Sequence, residues 1–228
     1  MHDKRLWSAM FSGKLHPKGW VFVIPGAILS SLFLVFHVWM GFWLCLLITL
    51  FVTFFFRDPD RITPEAVQGA VVAPADGIIL DIDHNISLPP ELGEEDEELY
   101  HRISIFLSIF NVHVNRAPVA GEVIRKFYKA GRFLNAASPE ASASNESCGI
   151  LIETPEGHWV ASVQIAGAIA RRIVCEVSKN QPVQLGQRYG IICFGSRMDI
   201  YLPSTAEVWA EKYQKTVAGE SILGCLPK

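Results

Sequence analysis

Residues 20–56 contain no Lys, Arg, Asp or Glu, and their apolar side chains follow one another without the alternation of a half-buried strand or the single stripe of a surface helix. A secretory signal has an apolar core of about 7–15 residues, so this stretch is too long to be one. A spanning helix needs about 20 residues, and the 37 available fit a hairpin of two short helices. His37-Val-Trp-Met-Gly41 interrupts the Leu/Phe run and marks the turn; the alternative is one tilted span or a re-entrant element. After it, residues 57–64 read as a linker, because Pro59 and Pro64 disfavour helix in the residues before them. Val71-Val-Ala-Pro-Ala-Asp-Gly-Ile-Ile-Leu80 reads as strand, Asp-Gly turn and strand. Further strands are expected at 103–110, 121–128, 149–153, 159–165, 173–177, 191–194 and 198–202.

The predicted architecture is therefore a mainly β domain, a compact barrel- or sandwich-like α+β unit, behind an N-terminal membrane helical hairpin. Its divisions are a cytoplasmic segment 1–19, the hairpin 20–56 and one domain 57–228. Residues 91–98 carry six acids and read as a solvated loop, and the Ala- and Ser-rich 136–147 as a mobile one. Lys4, Arg5, Lys14 and Lys18 precede the apolar run and Arg57 and Arg61 follow it, which sets both flanks on the cytoplasmic side of a cell (inner) membrane.

Charge changes this picture little. The net charge is −3, and no basic stretch alternates with aromatics, so nucleic acid is excluded as a partner. The five cysteines are widely spaced with no Cys-x-x-Cys, which argues against a disulfide framework and against a metal site.

Three short elements bear candidate chemistry. Gly195-Ser196 separates an apolar strand from Arg197-Met-Asp-Ile-Tyr-Leu-Pro203, and a Gly-Ser between strands is ordinarily a turn. It lacks the spacing of a Gly-x-Ser-x-Gly nucleophile elbow. Asp76 lies in an Asp-Gly pair, a favoured hairpin turn. His113 follows a strand, where a lone histidine is usually a hydrogen-bonded structural residue.

Together with their surroundings these elements resemble a known family. Ala73-Pro-Ala-Asp-Gly77, Phe106-Leu-Ser-Ile-Phe-Asn-Val-His-Val-Asn-Arg-Ala-Pro-Val-Ala-Gly121, Gln164-Ile-Ala-Gly-Ala-Ile-Ala-Arg-Arg-Ile-Val-Cys175 and Gly186-Gln-Arg-Tyr-Gly-Ile-Ile-Cys-Phe-Gly-Ser-Arg-Met-Asp-Ile-Tyr-Leu-Pro203 are similar, in that order, to the short (type A) phosphatidylserine decarboxylases. The likeness runs over about residues 57–210 and is most specific at Phe-Gly-Ser-Arg. The acidic 91–98 segment departs from the pattern, as does Ser147, where the family tends to have Arg.

The resemblance implies a zymogen that cuts itself between Gly195 and Ser196 and converts Ser196 into a covalent pyruvoyl group, with neither metal nor pyridoxal phosphate. The parts would be a β chain 1–195 and an α chain 196–228, paired as a heterodimer, with further homo-oligomers open. It implies His113 as the base that activates the Ser196 hydroxyl and Asp76 as the carboxylate that orients it, as in a serine-protease triad. Glycine at 195 would leave its carbonyl unhindered. The pyruvoyl ketone would form a Schiff base with the amine of phosphatidylserine and accept the electron pair freed as CO₂ leaves, giving phosphatidylethanolamine. His113 would then protonate the carbanion. Arg116, Arg171, Arg172 and Arg197 are candidates for holding phosphate or carboxylate. Two rivals stand beside this reading. One is a membrane-tethered serine hydrolase using Ser196, His113 and Asp76 without self-cleavage; the other is a biotinyl- or lipoyl-carrier module, which lacks its modifiable lysine here.

Overall fold

The structure is a computed structural model of the full chain, and it describes residues 14–64, 67–93, 98–132, 134, 138, 144–167, 172–193 and 195–227. The chain forms two compact units, Met1–Asp60 and Arg61–Lys228.

The first unit is a pair of apolar helices, α1 (Pro17–Val35) and α2 (Trp39–Phe55). Pro17 starts α1 in the first turn, where its missing N–H goes unnoticed, and His16 caps it by accepting from Lys18 N–H at 3.3 Å. The turn falls at Phe36–Val38 with His37 in the left-handed region, φ 54°, at the start of the interruption read from the sequence. Small residues let the helices approach: a Cβ at Gly26 would run into the Thr49 hydroxyl, and one at Gly41 would press on the Phe33 ring. Hydroxyls on the apolar helices bond back to their own carbonyls, Ser31 to Ala27 at 2.9 Å and Thr49 to Cys45 at 2.7 Å, which meets these donors within the helix itself. Among the described helices α1 alone is long and apolar enough to cross a membrane by itself; α2 is a shorter apolar helix of 17 residues.

Residues 57–60 fold back on the start of this unit. Leu15 and Arg57 form an antiparallel bridge, Asp58 N–H donates to Lys14 O at 2.8 Å, and Lys14 pairs with Asp60 at 2.8 Å. Arg57 caps the end of α2, donating to Phe54 O at 2.7 Å with its guanidinium 3.8 Å above the Phe54 ring. Both ends of the hairpin therefore emerge side by side.

The second unit is mainly β, and among the described residues every ladder between named strands is antiparallel, with one isolated parallel bridge between Arg132 and Asn145. Its strands are β1 (Ala70–Val72), β2 (Gly77–Ile86), β3 (Tyr100–Leu107), β4 (Val114–Arg116), β5 (Gly121–Lys129), β6 (Ser147–Glu153), β7 (Trp159–Ala166), β8 (Ile173–Cys175), β9 (Pro182–Val183), β10 (Arg188–Ile192), β11 (Ser196–Pro203), β12 (Glu207–Val208), β13 (Lys215–Thr216) and β14 (Ile222–Cys225). Eight form a curled half-barrel in the order β13-β2-β3-β11-β7-β6-β5-β9, and two three-stranded sheets run β4-β10-β8 and β1-β14-β12.

β11 is buried along its whole length because both faces of the sheet are covered. On one side Met198, Ile200 and Leu202 join Ile79, Ile105, Leu107 and Ile150 in the main core, which the small sheets complete with Val71, Tyr189, Ile192 and Leu223. On the other, Tyr201 packs with Tyr100, Val163, Ile165, Leu88 and Leu92. This second cluster corrects the reading of 91–98 as a solvated loop. Its start is a single helical turn, Pro90–Gly93, whose Leu92 is fully buried, with Arg125 donating to Leu92 O at 3.0 Å and Glu91 paired to Lys129 at 2.8 Å. Glu98 is exposed, and residues 94–97 lie outside the described ones.

The 136–147 stretch is corrected at its far end. Asn145, Glu146 and Ser147 are buried, with Asn145 Nδ2 donating to Ala166 O at 2.7 Å and to Leu134 O at 2.9 Å, while its Oδ1 accepts from Leu134 N–H at 2.9 Å. Residues 135–137 and 139–143 lie outside the described ones.

Candidate active site

The half-barrel gathers the candidate residues at one end. In the ladder Ser196 pairs with Leu107 of β3 on one side and with Ala166 of β7 on the other, so it opens the central strand with neighbours on both flanks. Ile78 pairs with Phe106, which pairs with Arg197, so the start of β2, just after Asp76, lies two strands away from the start of β11. Strands are about 4.8 Å apart, which sets these two strand ends about 10 Å from each other. His113 stands between β3 and β4, and its carbonyl accepts from Ile192 N–H at 3.3 Å, four residues before Ser196.

Ser196 is fully buried, and among the described residues its Oγ has no hydrogen-bond partner. The preceding Gly195 has φ 62°, a region in which any other residue is strained. A Cβ there would meet nothing closer than Ile109 Cγ2 at 4.0 Å. Backbone conformation by itself calls for glycine at 195.

His113 is also fully buried. Its Nδ1 lies 2.9 Å from the main-chain carbonyl of Asn111. A carbonyl only accepts, so Nδ1 carries the hydrogen of the neutral ring and Nε2 is its basic nitrogen. Asn111 is held in turn, its Oδ1 accepting from Ser108 N–H and Ser108 Oγ, both at 2.8 Å. The tautomer that a base needs is thus set by the turn after β3.

The Asp76 carboxylate takes a hydrogen bond from Ala218 N–H at 2.8 Å and pairs with Arg61 Nη2 at 2.8 Å, both side chains largely buried. The Thr216 hydroxyl donates to Ala75 O at 3.0 Å. The turn at 73–77 is therefore bound to the C-terminal segment, which sequence reasoning did not connect with the site. Two-residue strands such as β13 carry no pattern that could have revealed it.

The four arginines separate. Arg197 Nε donates to Asp199 Oδ1 at 2.6 Å and its Nη2 to Asp199 Oδ2 at 3.1 Å and Ser104 Oγ at 2.7 Å, with the pair buried in the sheet. Such a guanidinium is committed to the fold, and Arg197 is withdrawn as a ligand for substrate. Arg116 is buried and donates to Gly186 O at 3.0 Å. Arg172 is exposed, and its carbonyl accepts from Cys193 N–H at 3.1 Å. Burial pushes the Cys193 thiol up while the positive charge of Arg172 pulls it down, so an exposed cation lies close to Cys193, two residues before Gly195. Arg171 lies outside the described residues.

The chain is similar to known proteins over most of its length. Residues 48–224 match the family model described as phosphatidylserine decarboxylase. The chain is 52% identical over 190 residues to a protein of Geobacter sulfurreducens, covering 83% of this chain and 84% of that one. It is 46% identical over 217 residues to one of Ruegeria pomeroyi, covering 95% and 97%, and 44% identical over 211 residues to one of Rickettsia typhi, covering 92% and 89%. All three bear the name phosphatidylserine decarboxylase proenzyme.

Proposed function

Since the chain belongs to the phosphatidylserine decarboxylase family, we propose that it decarboxylates phosphatidylserine to phosphatidylethanolamine after cutting itself between Gly195 and Ser196. The observation that carries this reading is Ser196 Oγ, buried without a hydrogen-bond partner among the described residues at the head of the central strand, directly after a glycine at φ 62°. A buried hydroxyl left unpaired is costly, and nucleophiles are where proteins tolerate it.

The cut follows from the chain's own atoms. His113 Nε2 takes the Ser196 hydroxyl proton, and Oγ bonds to the Gly195 carbonyl carbon as the Gly195–Ser196 C–N bond breaks, leaving an ester and a free Ser196 amine. Loss of the Ser196 α-proton and of the Cβ–Oγ bond then frees residues 1–195 with a carboxylate end. The unsaturated residue left at 196 takes up water and releases ammonia, which yields pyruvoyl. That group supplies an electron sink for the pair released with CO₂. It needs a fixed, water-poor place, and Ser196 between β3 and β7 with no exposure suits it. In the mature protein the buried His113 returns a proton to the substrate carbon, and the exposed Arg172 attracts the lipid phosphate. Asp76, tied to Arg61 and Ala218, holds the turn beside the site.

His113→Ala should accumulate as an uncut 228-residue chain. Asp76→Asn keeps an acceptor for Ala218 but loses the charge facing Arg61, and is expected to cut more slowly, by less than the roughly 10⁴-fold of a triad aspartate, because the Asn111 carbonyl already holds Nδ1 of His113. A cleavage time course followed by release of labelled CO₂ from carboxyl-labelled phosphatidylserine reads both steps. Normal cutting and turnover in both variants would take these residues out of the reaction, and an uncut wild type that hydrolyses a lipid ester without releasing CO₂ would favour the serine-hydrolase alternative.

The helix pair is the membrane anchor in this reading. Helices of 19 and 17 residues are about 28 and 26 Å long, close to the thickness of a hydrocarbon core of about 30 Å. The Leu15–Arg57 bridge brings both ends together, and Lys14, Lys18, Arg57 and Arg61 put them on the cytoplasmic side of the cell membrane. Single cysteines placed at positions 16 and 60 in a cysteine-free chain should react with an impermeant maleimide only after the membrane is opened from the cytoplasmic side, and one at 37 from the outside. Labelling of 16 and 60 from opposite sides would replace the hairpin with a single span.

A further inference from the structure

The main core holds polar groups that the steps above leave unused. Gln164 on β7 and Asn115 on β4 are fully buried, and Gln164 Nε2 donates to Asn115 Oδ1 at 2.8 Å. The same nitrogen lies 3.5 Å from Val174 O, which fixes the amide, since a carbonyl faces a donor and not another oxygen. Two ends remain open. Asn115 Nδ2, a donor, and Gln164 Oε1, an acceptor, are buried with no hydrogen-bond partner among the described residues. Ser162 and Tyr189 on the same side of the sheet satisfy each other at 2.9 Å, so orphaned groups are not general to this core. Room is kept for the couple by Gly190, where a Cβ would press on Val174 O and come within 3.0 Å of Gln164 Nε2.

The couple stands next to Ser196. Ala166 pairs with Ser196 and Gln164 with Met198, and residues two apart on a strand share a face, so the side chains of Gln164 and Ser196 point to the same side. Diagonal neighbours across such a ladder have Cα atoms about 7–8 Å apart. Asn115 follows His113 by two residues. Ser196, Gln164 and Asn115 are equally buried, so a rearrangement that admits substrate to residue 196 admits it to the couple.

We propose that Asn115 and Gln164 bind the amino-acid end of the lipid headgroup, Asn115 Nδ2 donating to its carboxylate and Gln164 Oε1 accepting from its amine; this rests on the decarboxylase reading above. An α-amino acid carries an acceptor and a donor on one carbon, and the couple offers the complementary donor and acceptor, joined through one hydrogen bond. Both groups are uncharged. A carboxamide holds the carboxylate in place without the charge pairing of an arginine, so it does not stabilise the group that must leave as CO₂. It also distinguishes phosphatidylserine from phosphatidylethanolamine, which has the amine alone.

Two variants of the full chain in detergent micelles test this. Asn115→Leu with Gln164→Met removes both partners for groups of similar shape, which a core tolerates. Asn115→Asp keeps the acceptor for Gln164 Nε2 and turns the open donor into an anion. Intact mass reads cutting, and cyanoborohydride capture of a lipid amine, seen as a mass gain on the 196–228 chain, reads binding without turnover. Both variants should cut as wild type does. The double variant should need roughly 10- to 100-fold more phosphatidylserine for half capture. Asn115→Asp should capture phosphatidylethanolamine as wild type does and phosphatidylserine poorly. Capture of phosphatidylserine at the wild-type concentration by either cut variant overturns the proposal, as do folded variants that stay uncut, which would put the couple in processing. If wild type itself is never cut and captures no amine, the function proposed above fails instead.

Discussion

Wild-type protein is expected to run as two chains of 195 and 33 residues under denaturing conditions and as one particle under native ones, while Ser196→Ala stays a single chain of 228 residues. The sheet gives the reason. The smaller chain begins with β11, which pairs with β3 from Ser196↔Leu107 to Pro203↔Tyr100 and with β7 from Ser196↔Ala166 to Tyr201↔Ala161. Further along it contributes β13 to β2 and β14 to β1. Cutting one peptide bond at the head of β11 removes none of these ladders, and Met198, Ile200 and Leu202 remain in the core. Size exclusion in mild detergent, followed by intact mass of each fraction, checks both halves. The mass also reports the blocked end of the smaller chain, since pyruvoyl has no amine. Recovery of the 195-residue chain alone from the native column would mean that β11 does not hold the parts together, and an uncut wild type would remove the pyruvoyl mechanism altogether.

The second large effect concerns Asp199. Its carboxylate is fully buried against an Arg197 side chain only 5% exposed, and the guanidinium has its other contact with Ser104 Oγ. Asp199→Ala leaves that charge inside the sheet with no counter-ion, and should lower stability by about 3–5 kcal/mol. Replacing both partners, Arg197→Met with Asp199→Leu, removes the charge and the need for it together, and is expected to restore most of the loss or exceed it. Urea midpoints of both variants in the Ser196→Ala background keep the chain covalently whole, so that unfolding is not mixed with chain separation. A single variant within about 1 kcal/mol of its parent would show that water reaches the pair, and would return Arg197 to the candidates for substrate.

This assignment of Arg197 could not have been made from the motif that contains it. Phe-Gly-Ser-Arg is the most specific part of the family resemblance, and an arginine beside a nucleophile invites a ligand role. Only the pairing of β3 with β11 brings Ser104, nearly a hundred residues away, against it. His113 is a similar case. Its position after a strand was legible, but its tautomer depends on a carbonyl two residues back, in a turn whose shape Asn111 and Ser108 decide.

What the sequence determined by itself is whatever depends on neighbours along the chain. The uninterrupted apolar run made a helix pair with a turn at its polar break, because a helix satisfies its own backbone groups and needs no partner strand to be specified. The Gly- and Pro-bounded apolar stretches became β2, β3, β5, β6, β7 and β11, and a mainly β fold followed. For Gly195-Ser196 the sequence offered a chemistry only through likeness to a family, and the family itself is what the comparisons support. The tertiary structure alone decided the rest. It set the glycine requirement at 195 through φ, made Leu92 a core residue within an acidic segment, bound Asp76 to the C-terminal strands and left Asn115 and Gln164 with ends open among the described residues. Each of these is a contact between residues far apart in the chain or a backbone angle imposed by such contacts. Local pattern carries no record of them, because the free energy that fixes them arises only when the strands meet.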